Sequence, residues 1–272
     1  KLIFFFFFFI FIKFKRAKSL LFYMTPKVLV GCPVSDYHEY STDEYLNAIK
    51  NLSYENYDIL LVDNSKADSF SEKLRQAGVQ VIRTEHCSNV KERIIKSRNV
   101  LREYCINKEY DFLLSLEQDV IPPKDIIERL LSHKKVVITG IYFNYFPGLS
   151  EPMPLAWKES EQEGYGLKSL SEEEVSSGRL IKIIACGLGC VLISTKVLKK
   201  IEFRHDDTLD VFDDMLFSKD CSLLNIDMYV DTSLKCKHLI KNRPWSWQSI
   251  DPSKNKPIFK KESELTKEKN AT

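Results

Sequence analysis

The sequence contains no Cys-x-x-Cys, no Gly-x-Gly-x-x-Gly and no internal repeat. It also lacks an apolar run of the roughly 20 residues that a membrane-spanning helix needs. Nine glycines and ten prolines in 272 residues exclude collagen-like and linker-dominated architectures. A formal charge of +2 leaves no basic domain of the kind that binds nucleic acid. Lys1, Lys13, Lys15, Arg16 and Lys18 all precede Met24, so the rest of the chain is slightly acidic. What is present is 44% hydrophobic and 29% charged. That is too apolar for a disordered chain, too charged for a polytopic membrane protein, and enough to bury a substantial core.

Seven cysteines is an odd number, and most stand beside apolar residues. They read as reduced, buried thiols of a cytoplasmic protein. The sharper alternative is a zinc site from Cys186, Cys190, Cys236 and His238, but Cys-x-x-x-Cys plus Cys-x-His is not a standard ligand spacing.

Leu2 to Ile12 is an unbroken apolar run of 11 residues, followed by the basic stretch Lys13 to Lys18. The run is too short to span a bilayer, and its charges follow the apolar core where a signal peptide would carry them before it. The expectation is a folded protein that begins near Met24, with residues 1–23 a leader. The alternative is the end of a truncated anchor, its basic cluster on the cytosolic face of a membrane.

From Lys27 the chain alternates short apolar runs with helical periods. Strands are expected at Lys27–Gly31 (ended by the turn signals Gly31 and Pro33), Asp58–Asp63, Val79–Arg83, Asp111–Leu116 and Val136–Gly140. Between them, helices are expected after the capping box Ser41-Thr42-Asp43-Glu44, at Phe70–Ala77 before Gly78, at Val90–Asn107 and at Lys124–His133. Apolar, unalternating strands separated by helices imply an α/β fold with a mostly parallel sheet covered on both faces. Residues 145–179 break the pattern with Pro147, Pro152 and Pro154 and read as a long, mobile substrate-side excursion. Further strands are expected at Leu180–Ala185, Cys190–Ser194, Met228–Val230 and Ser233–His238, and a helix at Asp213–Leu224. A polar tail occupies 243–272.

Parallel sheets bind ligands at the carboxyl ends of their strands. Polar clusters stand there: Ser35-Asp36, Asp63-Asn64-Ser65 and Glu117-Gln118-Asp119. Two carboxylates at i and i+2 leaving a strand can converge on Mg²⁺ or Mn²⁺, and such a cation can stabilise a departing diphosphate. Taken singly, Glu117-Gln118-Asp119 also reads as a polar loop and Asp213-Asp214 as a helix start favoured by the dipole. His238 also reads as a structural histidine, and Arg98-Asn99 as a solvated helix face.

In order, Pro33, Val62-Asp63-Asn64-Ser65, Ser97-Arg98-Asn99, Leu116-Glu117-Gln118-Asp119, Cys186-Gly187-Leu188-Gly189-Cys190, Phe212-Asp213-Asp214 and His238 form a series that resembles the GT-A glycosyltransferases, family-2-like branch. The resemblance spans Lys27 to Leu239. It implies a GT-A domain over 24–242, with a nucleotide-binding half at 24–144 and an acceptor half at 145–242. By position, it implies that Asp63, with Asn64 and Ser65, contacts the base or ribose of a nucleotide sugar beside a Pro33 wall. Arg98 would lie near the nucleotide or diphosphate, and the turn with Gly187 and Gly189 would border donor sugar and acceptor. Asp119 would be the metal ligand, with Glu117 near ribose or metal and His238 completing the shell around Mn²⁺ or Mg²⁺. Asp214 would be the general base, with Asp213 in place of the family's Glu and Glu117 in place of its first Asp. The implied reaction moves a hexosyl unit from a UDP- or GDP-linked sugar to a glycan, lipid or protein hydroxyl. Attack opposite the leaving diphosphate would invert the anomeric centre, although retaining members share the scaffold.

The rivals are a degenerate scaffold that binds a nucleotide sugar or glycan without turnover, and a sugar-phosphate nucleotidyltransferase. The loop Gly31-Cys32-Pro33-Val34-Ser35-Asp36 lacks the Gly-rich, basic signature of the latter.

Overall fold

The structure is a computed structural model that describes residues 25–145, 152–160, 166–206, 208, 211–241 and 243–244. The leader, the start near Met24 and nearly all of the expected tail lie outside these residues. Strand β1 (Val28–Val34) leads through a 3-10 turn (Asp36–Ser41) into α1 (Thr42–Lys50), β2 (Tyr57–Asp63), α2 (Ser69–Gln76) and β3 (Gln80–Arg83). Next come α3 (Val90–Asn107), β4 (Phe112–Leu116), β5 (Val120–Ile121), α4 (Ile126–Ser132), β6 (Val137–Ile141) and β7 (Phe143–Asn144). The chain continues through β8 (Met153–Pro154), β9 (Ala156–Glu159), β10 (Leu167–Ser169), α5 (Glu172–Ser176), β11 (Leu180–Ile183), β12 (Ala185–Cys186) and β13 (Cys190–Ser194). It ends in α6 (Thr195–Leu198), α7 (Asp213–Leu223), β14 (Met228–Lys235), β15 (Lys237–Ile240) and β16 (Arg243–Pro244).

Eight strands form one sheet in the order β11-β14-β6-β13-β4-β1-β2-β3. The run β3-β2-β1-β4 is parallel, β13 lies antiparallel between β4 and β6, β14 is parallel to β6, and β11 closes the edge antiparallel. Side chains alternate between two buried layers. Leu29, Leu60 and Val62 pack with Leu101 and Cys105 of α3, whereas Val30, Cys32 and Leu61 pack with Tyr45, Ile49, Leu74 and Ile127 on the other face. Burial on both faces is why these strands read as continuous apolar runs.

This topology brings the carboxyl ends of β1, β2 and β4 to one edge. Because β13 runs the other way, its amino-terminal end (Cys190 opposite Leu116) reaches the same edge and carries Gly187 and Gly189 there.

Several local expectations are corrected. Gly31 and Pro33 do not end β1; the strand runs through both to Val34. The carbonyl of Val34 accepts the Asn64 N–H, so even-numbered residues bond toward β2 and Pro33 turns its nitrogen toward β4, whose pairing stops at Gly31. A proline there costs no ladder bond. Ser41 forms no capping box, because the 3-10 turn feeds directly into α1 and its carbonyls accept the first helical N–H groups; the Ser41 hydroxyl donates to the His38 carbonyl instead. The excursion at 145–179 is structured where it is described: β9 pairs with β10 and β12, and α5 opens on a complete capping box between Ser171 and Glu174. The two short strands expected at Met228–His238 are a continuous β14 and a separate β15, split at Cys236. All seven cysteines are free, and the zinc alternative finds no cluster of three or more His, Cys, Asp or Glu side chains among the described residues. No described helix is long and apolar enough to cross a membrane.

Candidate active site

Glu117-Gln118-Asp119 leaves β4 in a turn that the Val120 N–H closes by donating to the Glu117 carbonyl at 3.0 Å, and it keeps the Glu117 and Asp119 carboxylates within electrostatic reach of each other. Gln118 is buried and braces the scaffold. Its Oε1 accepts the Ser35 N–H at 2.9 Å, and its Nε2 donates to Thr42 Oγ1 at 2.9 Å and to the His38 carbonyl at 3.1 Å. The two flanking carboxylates are left on the cleft side.

Asp119 meets His238 because β15 pairs antiparallel with β5, His238 opposite Val120, and the Leu239 N–H donates to the Asp119 carbonyl. The His238 ring is aimed from behind: Nδ1 lies 2.7 Å from the Phe143 carbonyl, which turns Nε2 toward Asp119 Oδ2 at 3.3 Å. His38 Nε2 stands 3.7 Å from the same oxygen, and the Tyr40 hydroxyl 3.4 Å. Burial works against the charge on both partners, but the pairing overrides it. Asp119 is held below the usual carboxylate range and His238 above the usual imidazole range.

One imidazole and one carboxylate 3.3 Å apart, the imidazole locked through its other nitrogen, are donors of the kind that would hold Mn²⁺ or Mg²⁺. Since no third His, Cys, Asp or Glu joins them among the described residues, a cation here would draw its other ligands from water and phosphate oxygens. The three-residue shell implied by the resemblance is therefore not preformed. Glu117 is drawn instead to Arg98, with Nη2–Oε1 at 3.0 Å. Burial, set against Arg98 and reinforced by Asp119, pushes the Glu117 carboxyl up to about 7.

The glycine turn makes the third wall. Gly189 donates its N–H to the Tyr142 hydroxyl at 2.7 Å, and a Cβ on Gly189 would stand 2.8 Å from Glu117 Oε2. Gly187 is likewise closed off by Tyr142, so neither position has room for a side chain while Tyr142 keeps its place. Tyr142 carried no signal in the sequence, since it reads as one more apolar residue after β6.

Asp213 and Asp214 open α7, where the helix dipole favours carboxylates. They diverge. Asp213 is buried against Arg98 Nε at 2.6 Å, while Asp214 is half-buried and near enough to Glu117 and Tyr142 to act on their charges. Burial, with Asp213 beside it, pushes the Asp214 carboxyl up to about 6.

Asp63, Asn64 and Ser65 lie at the same sheet edge but turn inward. Asp63 accepts the Ser65 N–H at 2.8 Å and the Ser71 hydroxyl, Asn64 Nδ2 donates to Ser97 Oγ at 3.2 Å, and Ser65 Oγ accepts the Asp36 N–H at 2.9 Å. Half-buried Pro33 stands next to them on β1. Arg98 is not on a solvated helix face; its guanidinium is buried against Ser115, Glu117 and Asp213, with Nε in ion-pair contact with Asp213 but without a hydrogen-bond partner.

No protein-family description matches the sequence, and no curated protein does at a significant level. Solved structures do. GalNAc-T7 with UDP, GalNAc and Mn²⁺ superposes with a TM-score of 0.57 at 13% identity, covering 81% of this chain and 45% of that one. TarS 1-349 of S. aureus in complex with UDP-GlcNAc gives 0.52 at 17%, covering 77% of this chain and 57% of that one. The chain thus spans about half the length of these proteins. At such identities the likeness is one of architecture, and it agrees with the sheet order described above: this chain has the GT-A fold.

Proposed function

We propose that this protein is a glycosyltransferase that moves a hexosyl unit from a nucleoside-diphosphate sugar to an acceptor hydroxyl, assisted by Mn²⁺ or Mg²⁺. The observation that carries the reading is the Asp119–His238 pair and Asp214, all within electrostatic reach of Glu117 at the strand ends of a GT-A fold. UDP is favoured as the nucleotide because the similar structures named above hold UDP or UDP-GlcNAc. A glycan, lipid or protein supplies the acceptor hydroxyl.

In this reading Asp119 and His238 would hold the cation, whose charge would offset that of a departing diphosphate. The turn Asp63-Asn64-Ser65 and Pro33 shape the nucleotide side, and Gly187 and Gly189 leave space for the donor sugar against Tyr142. Asp214, with its carboxyl near 6, is ionised at neutral pH and still basic enough to take the acceptor proton. As that proton moves to Asp214, the acceptor oxygen bonds the anomeric carbon and the bond from that carbon to the diphosphate oxygen breaks.

The test is a transfer and donor-hydrolysis assay with UDP-GlcNAc, UDP-GalNAc, other UDP-hexoses and GDP-mannose, run with Mn²⁺ and with chelator. Sugar release or transfer from one nucleotide class, lost with chelator, is the expected result. Binding of donor with neither hydrolysis nor transfer under any condition would instead support a non-catalytic nucleotide-sugar scaffold.

A further inference from the structure

Arg98 sits in the middle of α3 with only 4% of its side chain exposed, and its guanidinium nitrogens face two distant parts of the chain, the end of β4 and the start of α7. Nη1 donates to Ser115 Oγ on β4 at 2.9 Å, Nη2 to Glu117 Oε1 at 3.0 Å, and Nε stands 2.6 Å from Asp213 Oδ2 at the start of α7. The Ser115 hydroxyl passes the connection on, donating to the Leu188 carbonyl between Gly187 and Gly189. One buried cation therefore touches the donor-side strand end, the glycine turn through Ser115, and the helix that begins with Asp213 and Asp214.

A buried ion cluster is weak as a source of stability, because removing the charges from water costs about as much as their attraction returns. What it supplies is a fixed geometry. We propose that Arg98, by clamping Asp213 to Glu117 and Ser115, is the positioning residue that sets the general base Asp214 against the donor site. This rests on the reading of Asp214 as the base. With its side chain only 4% exposed and its nitrogens facing Ser115, Glu117 and Asp213, Arg98 acts in this proposal through Asp213 and not as a ligand of the diphosphate.

The experiment compares wild type with Asp213→Asn, which keeps shape and leaves the Arg98–Glu117 contact in place while removing the charge tie to α7. Turnover at saturating donor should fall about a hundredfold, the size of effect a misplaced reacting group produces. The affinity for UDP with Mn²⁺, measured by calorimetry, should stay within about threefold of wild type, as expected when a group that does not contact the donor is changed. Asp213→Glu, which restores the charge, should recover part of the lost turnover. Arg98→Lys, which keeps a cation but loses the fork, should repeat the Asp213→Asn pattern and serves as the test if Asp213→Asn does not fold. Turnover within threefold of wild type in these variants would overturn the proposal. So would a parallel loss of UDP affinity with turnover at saturation intact, which would make Arg98 a donor-binding group. Failure of the wild type itself to hydrolyse or transfer any donor would count against the glycosyltransferase reading instead.

Discussion

The ends of β2 and β4 look alike in the sequence: each is an apolar strand running into a short polar cluster that contains Asp. In the fold they part company. At β2 the cluster turns inward, with Asp63 fully buried between the Ser65 N–H and the Ser71 hydroxyl. At β4 only the middle residue turns inward; Gln118 braces β1 and α1, while Glu117 and Asp119 are left facing Arg98 and His238 across the cleft. The difference lies in what arrives next. After β2 the chain enters α2, which brings Ser71 back to close the turn, whereas after β4 it enters β5, whose partner β15 delivers an imidazole. An acidic strand end is left available for a ligand when a second, distant element brings it a partner that could share one.

Substitutions can sharpen that contrast, and the largest effect is expected at β4. Asp119→Ala should lower metal-dependent transfer by about a thousandfold, on the order of what loss of a charge-stabilising group costs, and should also lower the melting temperature, because it leaves the buried His238 without its partner. Asp214→Asn should lower turnover by about 10²–10⁴, the range for removing a general base. The wild-type rate should fall tenfold per pH unit below about 6, where Asp214 takes up its proton.

The same raised pKa fixes the sign of the stability effect. A carboxyl whose folded value lies above its unfolded one contributes stability below pH 4 and loses it as pH rises through about 6. Asp214→Asn should therefore melt higher than wild type at pH 8, by on the order of 1–2 kcal/mol after solvent screening, and show no gain at pH 4.

At β2 the effect should move from rate to stability. Asp63→Ala should cost about 2–4 kcal/mol in urea unfolding, because a buried N–H and a buried hydroxyl lose their acceptor. Smallest of all is the capping box far from the cleft, where Ser171→Ala should cost about 1 kcal/mol.

Elements held by local signals are legible in the sequence. Helix α3 spans Val90–Asn107 as its periodicity predicts, with Asn89 accepting the Glu92 N–H at its start, and β13 begins and ends where its apolar run does. Signals that depend on context mislead. Ser41-Thr42-Asp43-Glu44 has the capping pattern, but a preceding 3-10 turn already supplies acceptors, while the working box at Ser171 lies inside a stretch whose prolines suggest irregular chain.

The cleft is legible only in outline. Asp119, His238 and Asp214 are picked out by order and residue type, and of these the fold brings Asp119 and His238 together. The inward turn of Asp63 and the burial of Arg98 are not visible in the sequence. Helix α3 carries charges around much of its circumference, and the one that goes inside is decided by Asp213, which lies far along the chain on α7. Tyr142 is invisible for a similar reason, since only the closed space above Gly187 and Gly189 gives it a role.

The most direct test of the account is the melting temperature of wild type and Asp119→Ala with UDP, each in Mn²⁺ and in chelator. At about a hundred times its Kd, UDP should stabilise the wild type by about 2.7 kcal/mol, a shift of about 5 °C or more. The account predicts that this shift requires Mn²⁺ and disappears in Asp119→Ala. An equal shift in chelator, or one that survives the loss of Asp119, would contradict a metal-assisted donor site at the end of β4.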